Sequence, residues 1–147
     1  MSRLLLDQIE QLRFPPAGGG EQRTAVVGTV RVGPRAVTVA AAHLSNKQGH
    51  NVRQLRQLQG VLAGRPAPRL LVGDLNLTST VLPLASRWGW PEAGRGDTVP
   101  NSRPTRQLDH VLRNDPGGVL RPGGARVAAA PVSDHRALVV DLDVAAD

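Results

Sequence analysis

Leu71-Val72-Gly73-Asp74-Leu75-Asn76 is the stretch of sequence that decides the fold. Residues 70–72 predict a short buried strand, and the glycine after it would let a ligand or a neighbouring backbone approach closely. If the extended backbone continues, Asp74 and Asn76 project to the same side. A carboxylate and an amide oxygen placed in this way suit a hard cation such as Mg²⁺. An Asx-turn with Asn76, which ties the loop before the next helix, explains these residues equally well.

The segment before this stretch predicts a β-hairpin followed by a helix. Residues 26–32 and 36–42 are β-prone, and Gly33-Pro34 between them is typical of a tight antiparallel turn. The second run is apolar enough to be buried on both faces. Over residues 51–63 apolar side chains recur every three or four positions, which predicts a helix with Asn51 as its N-cap and Gly64 at its end. Residues 4–14 show no clean period, and residues 15–20 predict a loop.

The segment after the stretch predicts further alternation of helix and strand. A short helix near residues 81–88 leads into a loop rich in Gly, Pro and Arg that runs to about residue 106. Residues 108–112 then predict a strand, residues 117–124 a loop, and residues 136–142 a final buried strand. This alternation implies an α/β sandwich with a largely buried sheet. A chain of 147 residues fits one domain, which we place over residues 1–147.

The composition excludes several kinds of site and of location. Cysteine is absent, so there are no disulfides, thiolate metal sites or cysteine nucleophiles, and any metal must use oxygen or imidazole ligands. No apolar run approaches the roughly 18 residues that a membrane span needs. Asp7 and Glu10 follow the short apolar start at once, which argues against a secretory signal. The sequence therefore predicts a cytoplasmic protein, unless a longer parent protein carries a signal upstream.

The net charge of +6 comes from 17 arginines and Lys47 against 12 acidic residues. A basic surface favours phosphate-bearing partners, nucleic acid among them, through Coulomb attraction and counterion release. The arginines are scattered, so solvated charges that reflect coding bias explain them equally well. Phe14, Trp88 and Trp90 are the only aromatic residues, and no stacking platform for bases is evident. DNA, RNA, a phospholipid and a small phosphate ester all stay open as substrates.

Polar residues of the kind that chemistry uses stand at three further strand ends. His43 follows the second hairpin strand, where a lone histidine is more often a surface residue than a catalyst. Asp109 lies in a mostly buried run and needs a partner, either an active-site histidine or an arginine in a structural salt bridge. Asp134 and His135 open the last strand and would point to opposite faces of a flat strand. Both can serve one site only if this segment is a loop or a bulge, which Pro131 favours. The alternative is a plain turn with no functional role.

The order of these motifs resembles the endonuclease/exonuclease/phosphatase family, which includes the DNase I-like nucleases. A strand with His-Leu, a helix with Arg53 and Gln57, Gly-Asp-Leu-Asn, Leu-Asp-His-Val-Leu and Ser-Asp-His follow one another as in that family. The resemblance runs from Ser2 to Leu142. It implies an α/β fold that is part of a four-layer α/β/β/α sandwich, and hydrolysis of phosphodiesters or phosphomonoesters with Mg²⁺ or a similar ion such as Mn²⁺ or Ca²⁺.

The same resemblance implies a role for each polar residue. Asp74 and Asn76 match the pair that binds metal and phosphate near the attacking water, and Asp134 matches a metal-site aspartate. His135 matches the histidine that contacts the scissile phosphate and takes part in acid–base chemistry. His43 matches a second active-site histidine. Asp109 matches the aspartate that holds an active-site histidine. The partner of Asp109 is either His43 or His135.

One part of the family pattern is missing. Family members carry, upstream of the region that begins here, a strand with an asparagine and then a glutamate that is a principal metal ligand. Ser2-Arg3 aligns in the middle of the domain, so the resemblance implies that N-terminal strands and a helix are absent. Glu10 would replace that glutamate only by accident. An excised or mis-assigned fragment, a degenerate remnant and a half-domain that pairs with another chain all stay open.

Two classes of function follow from the sequence. The first is divalent-metal-dependent phosphoester hydrolysis, which the retained polar residues favour. The second is a catalytically inactive module that binds phosphate or nucleic acid, which the missing glutamate segment favours. The candidate contacts of such a module are Arg53, Arg56, Arg103 and Arg106. A sheet without its neighbours exposes an edge and an apolar face, so the chain is expected to self-associate if it folds alone.

Overall fold

Seven strands and two helices make up residues 2–16 and 21–145, which a computed structural model of the chain describes. The strands are β1 (Leu6–Arg13), β2 (Thr24–Val32), β3 (Arg35–Ala42), β4 (Arg69–Asp74), β5 (Asp109–Asn114), β6 (Leu120–Ala128) and β7 (Ala137–Val144), and the helices are α1 (His50–Ala63) and α2 (Leu82–Ala85). The loop predicted over residues 15–20 lies partly outside the described residues, at positions 17–20. No described helix has the length and apolarity needed to cross a bilayer.

The strands form two sheets. Five of them lie in the order β1-β2-β3-β4-β5, and β6 pairs with β7 in a separate two-stranded sheet. In the larger sheet β3 and β4 pair in parallel, while the other neighbours are antiparallel. The predicted hairpin is confirmed, since β2 pairs with β3 from Ala25 opposite Ala42 to Val32 opposite Arg35. Gly33 turns it with φ of 58°, a conformation that glycine adopts without steric cost.

Helix α1 covers one face of the five-stranded sheet. Its leucines Leu55, Leu58 and Leu62 are fully buried and lie in one core cluster with residues of β2 to β5. Burial of each such side chain is worth about 1.5–3 kcal/mol, so this contact holds the helix to the sheet. The helix ends at Gly64 as predicted, but its N-cap is Gly49. The prediction of Asn51 as N-cap is wrong, because the Asn51 side chain is buried and donates to a backbone carbonyl across the core.

The opposite face of the sheet is open over a wide apolar area. Side chains alternate along a strand, so residues next to those that face α1 point away from the helix. Ala41 of β3 and Val26 of β2 are exposed there, and together with Ile9, Val39 and Val72 they line a cavity of about 310 Å³. The prediction that the second hairpin strand is buried on both faces is therefore wrong.

The last strand is also less buried than its composition predicts. No residue of β7 is fully buried: five of its eight residues are half-buried and three are exposed. It pairs with β6 and, through Leu138 and Val140, packs beside the loop at Gly94 and Gly96. Among the described residues, the two-stranded sheet has neighbours only on part of one face, and most of its residues are exposed or half-buried. The prediction of a largely buried sheet is therefore wrong for β6 and β7.

Two strands lie where the sequence predicts none. In β1 the pairing register shifts between Asp7 and Glu10, and Gln8 has φ of 53°, which breaks the alternation that identifies a strand. In β6 the register shifts between Pro122 and Gly124, within the segment predicted as a loop. A two-stranded sheet tolerates a proline because one side of each strand has no ladder to complete. The other predicted elements are present, with ends that coincide or differ by at most three residues.

Candidate active site

Three of the predicted site residues meet at one end of the five-stranded sheet. Asp74 and Asp109 are directly opposite each other at the ends of β4 and β5. Alternation along each strand places both on the open face, away from α1. His43 follows β3 on the same face, and its Nε2 lies 3.3 Å from Asp74 Oδ2. With 56% of its side chain exposed, the His43 ring is accessible from solvent.

Gly73 allows the strand ends to approach this closely. Its φ is 130°, and a Cβ placed on it would lie 2.0 Å from the carbonyl oxygen of Ala42. No side chain fits in that space, so β3 and β4 come together here only because residue 73 is a glycine. The contact continues beyond the strands, where Leu44 N donates to Asp74 O at 2.9 Å. The close approach thus sets the separation between His43 and Asp74.

His135 reaches the same site from the turn that precedes β7. Its Nδ1 lies 2.8 Å from Asp109 Oδ2, and its Nε2 lies 4.0 Å from Asp74 Oδ2. The Asn101 side chain holds the turn by donating to Ala130 O and Ser133 O, both at 2.7 Å. The segment is irregular rather than extended, as a shared site requires. Of the two histidines that the sequence leaves open as the partner of Asp109, the structure pairs it with His135.

The surroundings of His135 favour its protonated form. Burial of the ring by itself lowers the pKa. The hydrogen bond to Asp109 and the negative charges of Asp109, Asp74 and Asp134 act in the opposite direction and prevail. The pKa of His135 is therefore raised above its ordinary value of 6.5. In its protonated form an imidazole held in this way can donate a proton or a charged hydrogen bond.

Asn76 lies in a turn and not in a continuation of β4. Its φ is 50°, in the left-handed region, so the extended geometry ends before it. Asp74 Oδ1 accepts a hydrogen bond from Asn76 N at 2.9 Å, so an Asx-turn is present, but the side chain that makes it is that of Asp74 and not that of Asn76. The side chain is nevertheless fixed beside the site, because Asn76 Nδ2 donates to Leu44 O at 3.0 Å. Asp74 thus closes the turn with one oxygen and faces His43 with the other.

The family model for the Endonuclease/Exonuclease/phosphatase family matches residues 1–135, nearly the whole chain. The chain belongs to the endonuclease/exonuclease/phosphatase family. The resemblance inferred from the motifs is confirmed. None of the curated proteins compared with the chain matches it.

Solved structures share the fold at low sequence identity. A conserved protein of unknown function from Enterococcus faecalis superposes with a TM-score of 0.78 at 15% identity, over 97% of this chain and 68% of that one. The TDP2 protein of D. rerio, complexed with a single strand DNA product, gives 0.77 and 17% over 97% and 69%. A mannosyl-6-phosphatase from Bacteroides thetaiotaomicron gives 0.74 and 13% over 95% and 67%. These matches confirm the α/β, DNase I-like fold class, and the chain spans about two thirds of each of these structures.

The donor atoms of this family member suit a metal only in part. Asp74, Asn76 and Asp134 carry the carboxylate and amide oxygens that Mg²⁺ prefers. Asp134 is exposed, and its charge acts on the neighbouring His135 ring. Within residues 2–16 and 21–145, however, no three His, Asp or Glu side chains come close enough together to hold a metal ion. The described chain therefore offers part of a ligand set and not a complete one.

Three buried polar side chains beside the site have no role in the sequence prediction, although His110 lies within the Leu-Asp-His-Val-Leu motif. Glu92, Gln107 and His110 contact one another beneath the turn that carries Asn76. Gln107 is 5% exposed and His110 is 1% exposed. The signal in the sequence is a glutamine and a histidine that flank Leu108-Asp109 in an otherwise apolar run, and each needs a partner once it is buried. Glu92, which completes the group, comes from a loop whose path the sequence does not predict.

Proposed function

We propose that this chain is a phosphoester hydrolase of the nuclease or phosphatase type that depends on a divalent metal ion. The supporting observation is the convergence of two histidines and two aspartates at the ends of β3, β4 and β5 and in the turn before β7. Family membership supports the reaction class. The related mannosyl-6-phosphatase and the TDP2 protein with its DNA product support phosphoester substrates, with nucleic acid among them. We further propose that residues 1–147 are a single, incomplete domain that acts in the cytoplasm.

His135 is the proton donor in this proposal. Asp109 Oδ2 accepts a hydrogen bond from His135 Nδ1 and so fixes the orientation of the ring, which leaves Nε2 directed at the substrate side of the site. The raised pKa favours the charged form of the ring, in which Nε2 can donate to a phosphoryl oxygen or to a leaving oxygen. His43, which is exposed and lies beside Asp74, supplies a second imidazole to the same oxygens.

The metal ion in this proposal is Mg²⁺, with Mn²⁺ or Ca²⁺ as alternatives. Asp74, Asn76 and Asp134 are the residues that we propose as its ligands, because each carries an oxygen beside the histidines. Since they are an incomplete set among the described residues, the remaining ligand has to come from elsewhere.

An inactive module that binds phosphate or nucleic acid is the second candidate, along with a half-domain that assembles with another chain. The incomplete ligand set favours it. All four of its candidate contacts, Arg53, Arg56, Arg103 and Arg106, are exposed. Arg56 donates to Ala85 O at 3.0 Å and to Leu84 O at 3.3 Å, so it ties α1 to α2 and is less suited to a ligand.

The test is hydrolysis of a chromogenic phosphodiester and of plasmid DNA with and without Mg²⁺. The variants are Asp74→Ala and His135→Asn, of which the second keeps a donor for Asp109 and removes Nε2. We expect EDTA-sensitive turnover that falls by about 10²- to 10⁴-fold in either variant, as for loss of a general acid or base. Asp141→Ala is the matched control, because Asp141 forms an exposed ion pair with Arg126 on the other sheet.

Each outcome separates the two candidates. Turnover that persists in Asp141→Ala and is lost in both site variants supports the hydrolase. If the natural sequence shows no turnover above Asp74→Ala, the hydrolase proposal fails for this chain. Binding of a polyanion without any requirement for Mg²⁺ would then support the inactive module.

A further inference from the structure

The turn after β4 rests on a buried group of polar side chains, which we call the polar clamp: Glu92, Gln107 and His110. Asp109 and His110 are adjacent on β5, so their side chains point to opposite faces of the sheet. Asp109 faces the candidate active site, and His110 lies on the buried side with 1% of its surface exposed. A buried ionisable residue costs free energy unless its partners are in place, so a histidine here requires an explanation.

The clamp holds both ends of the segment that follows Asn76. His110 Nε2 lies 2.7 Å from Leu77 O and donates to it, because a carbonyl can only accept. Two residues further on, Ser79 Oγ donates to Gln107 Oε1 at 3.1 Å. The same Gln107 oxygen accepts from Gly96 N at 3.1 Å, which joins the turn to the loop between Trp90 and Arg106.

Charge strengthens the clamp from the side away from the turn. His110 Nδ1 lies 2.7 Å from Glu92 Oε1, a short contact between an imidazole and a carboxylate of which only 8% is exposed. Gln107 Nε2 donates to the same oxygen at 3.2 Å. Arg95 Nε lies 2.9 Å from Glu92 Oε2, so the guanidinium group lies beside the second oxygen of the carboxylate. Hydrogen bonds to charged groups are stronger than those between neutral groups.

We propose that the polar clamp positions the Asp74–Asn76 turn from beneath, which makes His110 and Gln107 positioning residues for the reaction on the opposite face of the sheet. The backbone of Asn76 is in the left-handed region, which costs a non-glycine residue free energy, and the turn keeps it only when its surroundings impose it. The clamp supplies that constraint at Leu77 and Ser79. This role in catalysis rests on the proposed hydrolase function, while the constraint on the turn does not.

The experiment compares His110→Leu with His110→Gln by amide hydrogen exchange and by kinetics. Leucine removes the donor to Leu77 O, and glutamine keeps a donor at about the position of Nε2. In His110→Leu we expect the amides of Leu75 and Asn76 to exchange at least roughly 10-fold faster relative to amides of β2 and β3, because the turn opens locally. Where turnover is present, kcat should fall roughly 10- to 100-fold, the range found for residues that orient catalytic groups. His110→Gln should restore both to within about three-fold.

Gln59→Leu is the matched control, because Gln59 is equally buried but bonds to Ser86 and Arg87, away from the turn. The milder variant Ser79→Ala, which removes one contact to Gln107, serves if His110→Leu does not fold. Exchange at Leu75 and Asn76 that is unchanged, or that rises equally throughout β2 and β3, overturns the inference. Turnover absent from the natural sequence overturns the proposed function alone, and hydrogen exchange then decides on the clamp by itself.

Discussion

His135 and Asp109 form the contact at which the charge of the site is set. The His135 ring is 22% exposed, and the charges of three carboxylates act on it. These carboxylates stabilise the protonated form of the ring and so raise its pKa. The same contact links the turn before β7 to the start of β5, 26 residues away in the sequence. Its strength therefore affects both the proton chemistry and the folding of the C-terminal segment.

Replacement of Asp109 by asparagine should reduce stability more at low pH than at high pH. The pKa of His135 is raised in the folded state, so the contact between the protonated ring and Asp109 stabilises the folded protein. This stabilisation is fully present below the unfolded pKa of about 6.5 and is lost as the pH rises through the folded pKa. We expect the difference in free energy of unfolding between the natural sequence and Asp109→Asn to be larger at about pH 6 than at about pH 9. Urea denaturation in EDTA at both pH values measures it.

Asp141→Asn is the control for this pH dependence. Asp141 pairs with an arginine, which does not titrate in this range, so its effect should be the same at both pH values. An Asp109→Asn difference that is equally independent of pH would contradict the assignment of the charge to His135.

The residues of the site follow from the sequence, but the contacts among them do not. His43, Asp74 and Asp109 stand at strand ends, and strand ends of one sheet meet, so their proximity is predictable once the strands are identified. The choice of His135 as the partner of Asp109 depends on the path of residues 129–136, a turn without a period to follow. The turn at Asn76 is similarly local, because Asp74 makes the Asx-turn and faces the site with the same side chain.

At the level of elements, regular patterns are the ones that predict structure. Helix α1 and the hairpin of β2 and β3 have clean periods and lie within two residues of their predicted ends. Strands β1 and β6 each contain a shift in register, so apolar residues fall on both sides of the alternation and the pattern is lost. A bulge depends on how a strand pairs with its neighbour. The pattern within one segment of sequence holds no information on that pairing.

Gly73 and Gly60 should respond in opposite ways to replacement by alanine. At Gly73 a Cβ would overlap the Ala42 carbonyl and φ is 130°, so we expect Gly73→Ala to lose about 3 kcal/mol or more of stability. Gly60 is in α1 with open space around its Cβ position, so Gly60→Ala should gain about 0.5–1 kcal/mol. The midpoints of urea denaturation measure both. A Gly73→Ala protein as stable as the natural one would mean that β3 and β4 separate here at little cost.

In the whole molecule, the five-stranded sheet is covered by α1 on one face and is largely apolar on the other. Leu6, Ile9 and Val26 are exposed on or beside that open face, at 39%, 64% and 45%. Exposed apolar surface on this scale is unusual for a monomer and favours association. The missing N-terminal strands and the four-layer arrangement stay predictions, as does a completing chain.

Self-association should depend on the open face. We expect sedimentation velocity to show species larger than a monomer at high concentration, because association removes apolar surface from water. Ile9→Lys and Val26→Lys place a charge on this face and should shift the distribution towards monomer. Leu84→Lys, at a side chain 81% exposed on α2, should leave the distribution unchanged. A monodisperse monomer at high concentration would contradict the prediction.

The parallel pairing of β3 with β4 also has a consequence for the order of events as the chain folds. The whole of α1 lies between these strands in the sequence, so their pairing closes a long loop. A helix forms from neighbouring residues within about a microsecond, whereas contacts between distant residues wait for loop closure. We therefore expect His43 and Asp74 to meet late in folding, once the segment between them is ordered. A chain emerging from a ribosome releases the residues of α1 before Asp74, so its helix can form before its site.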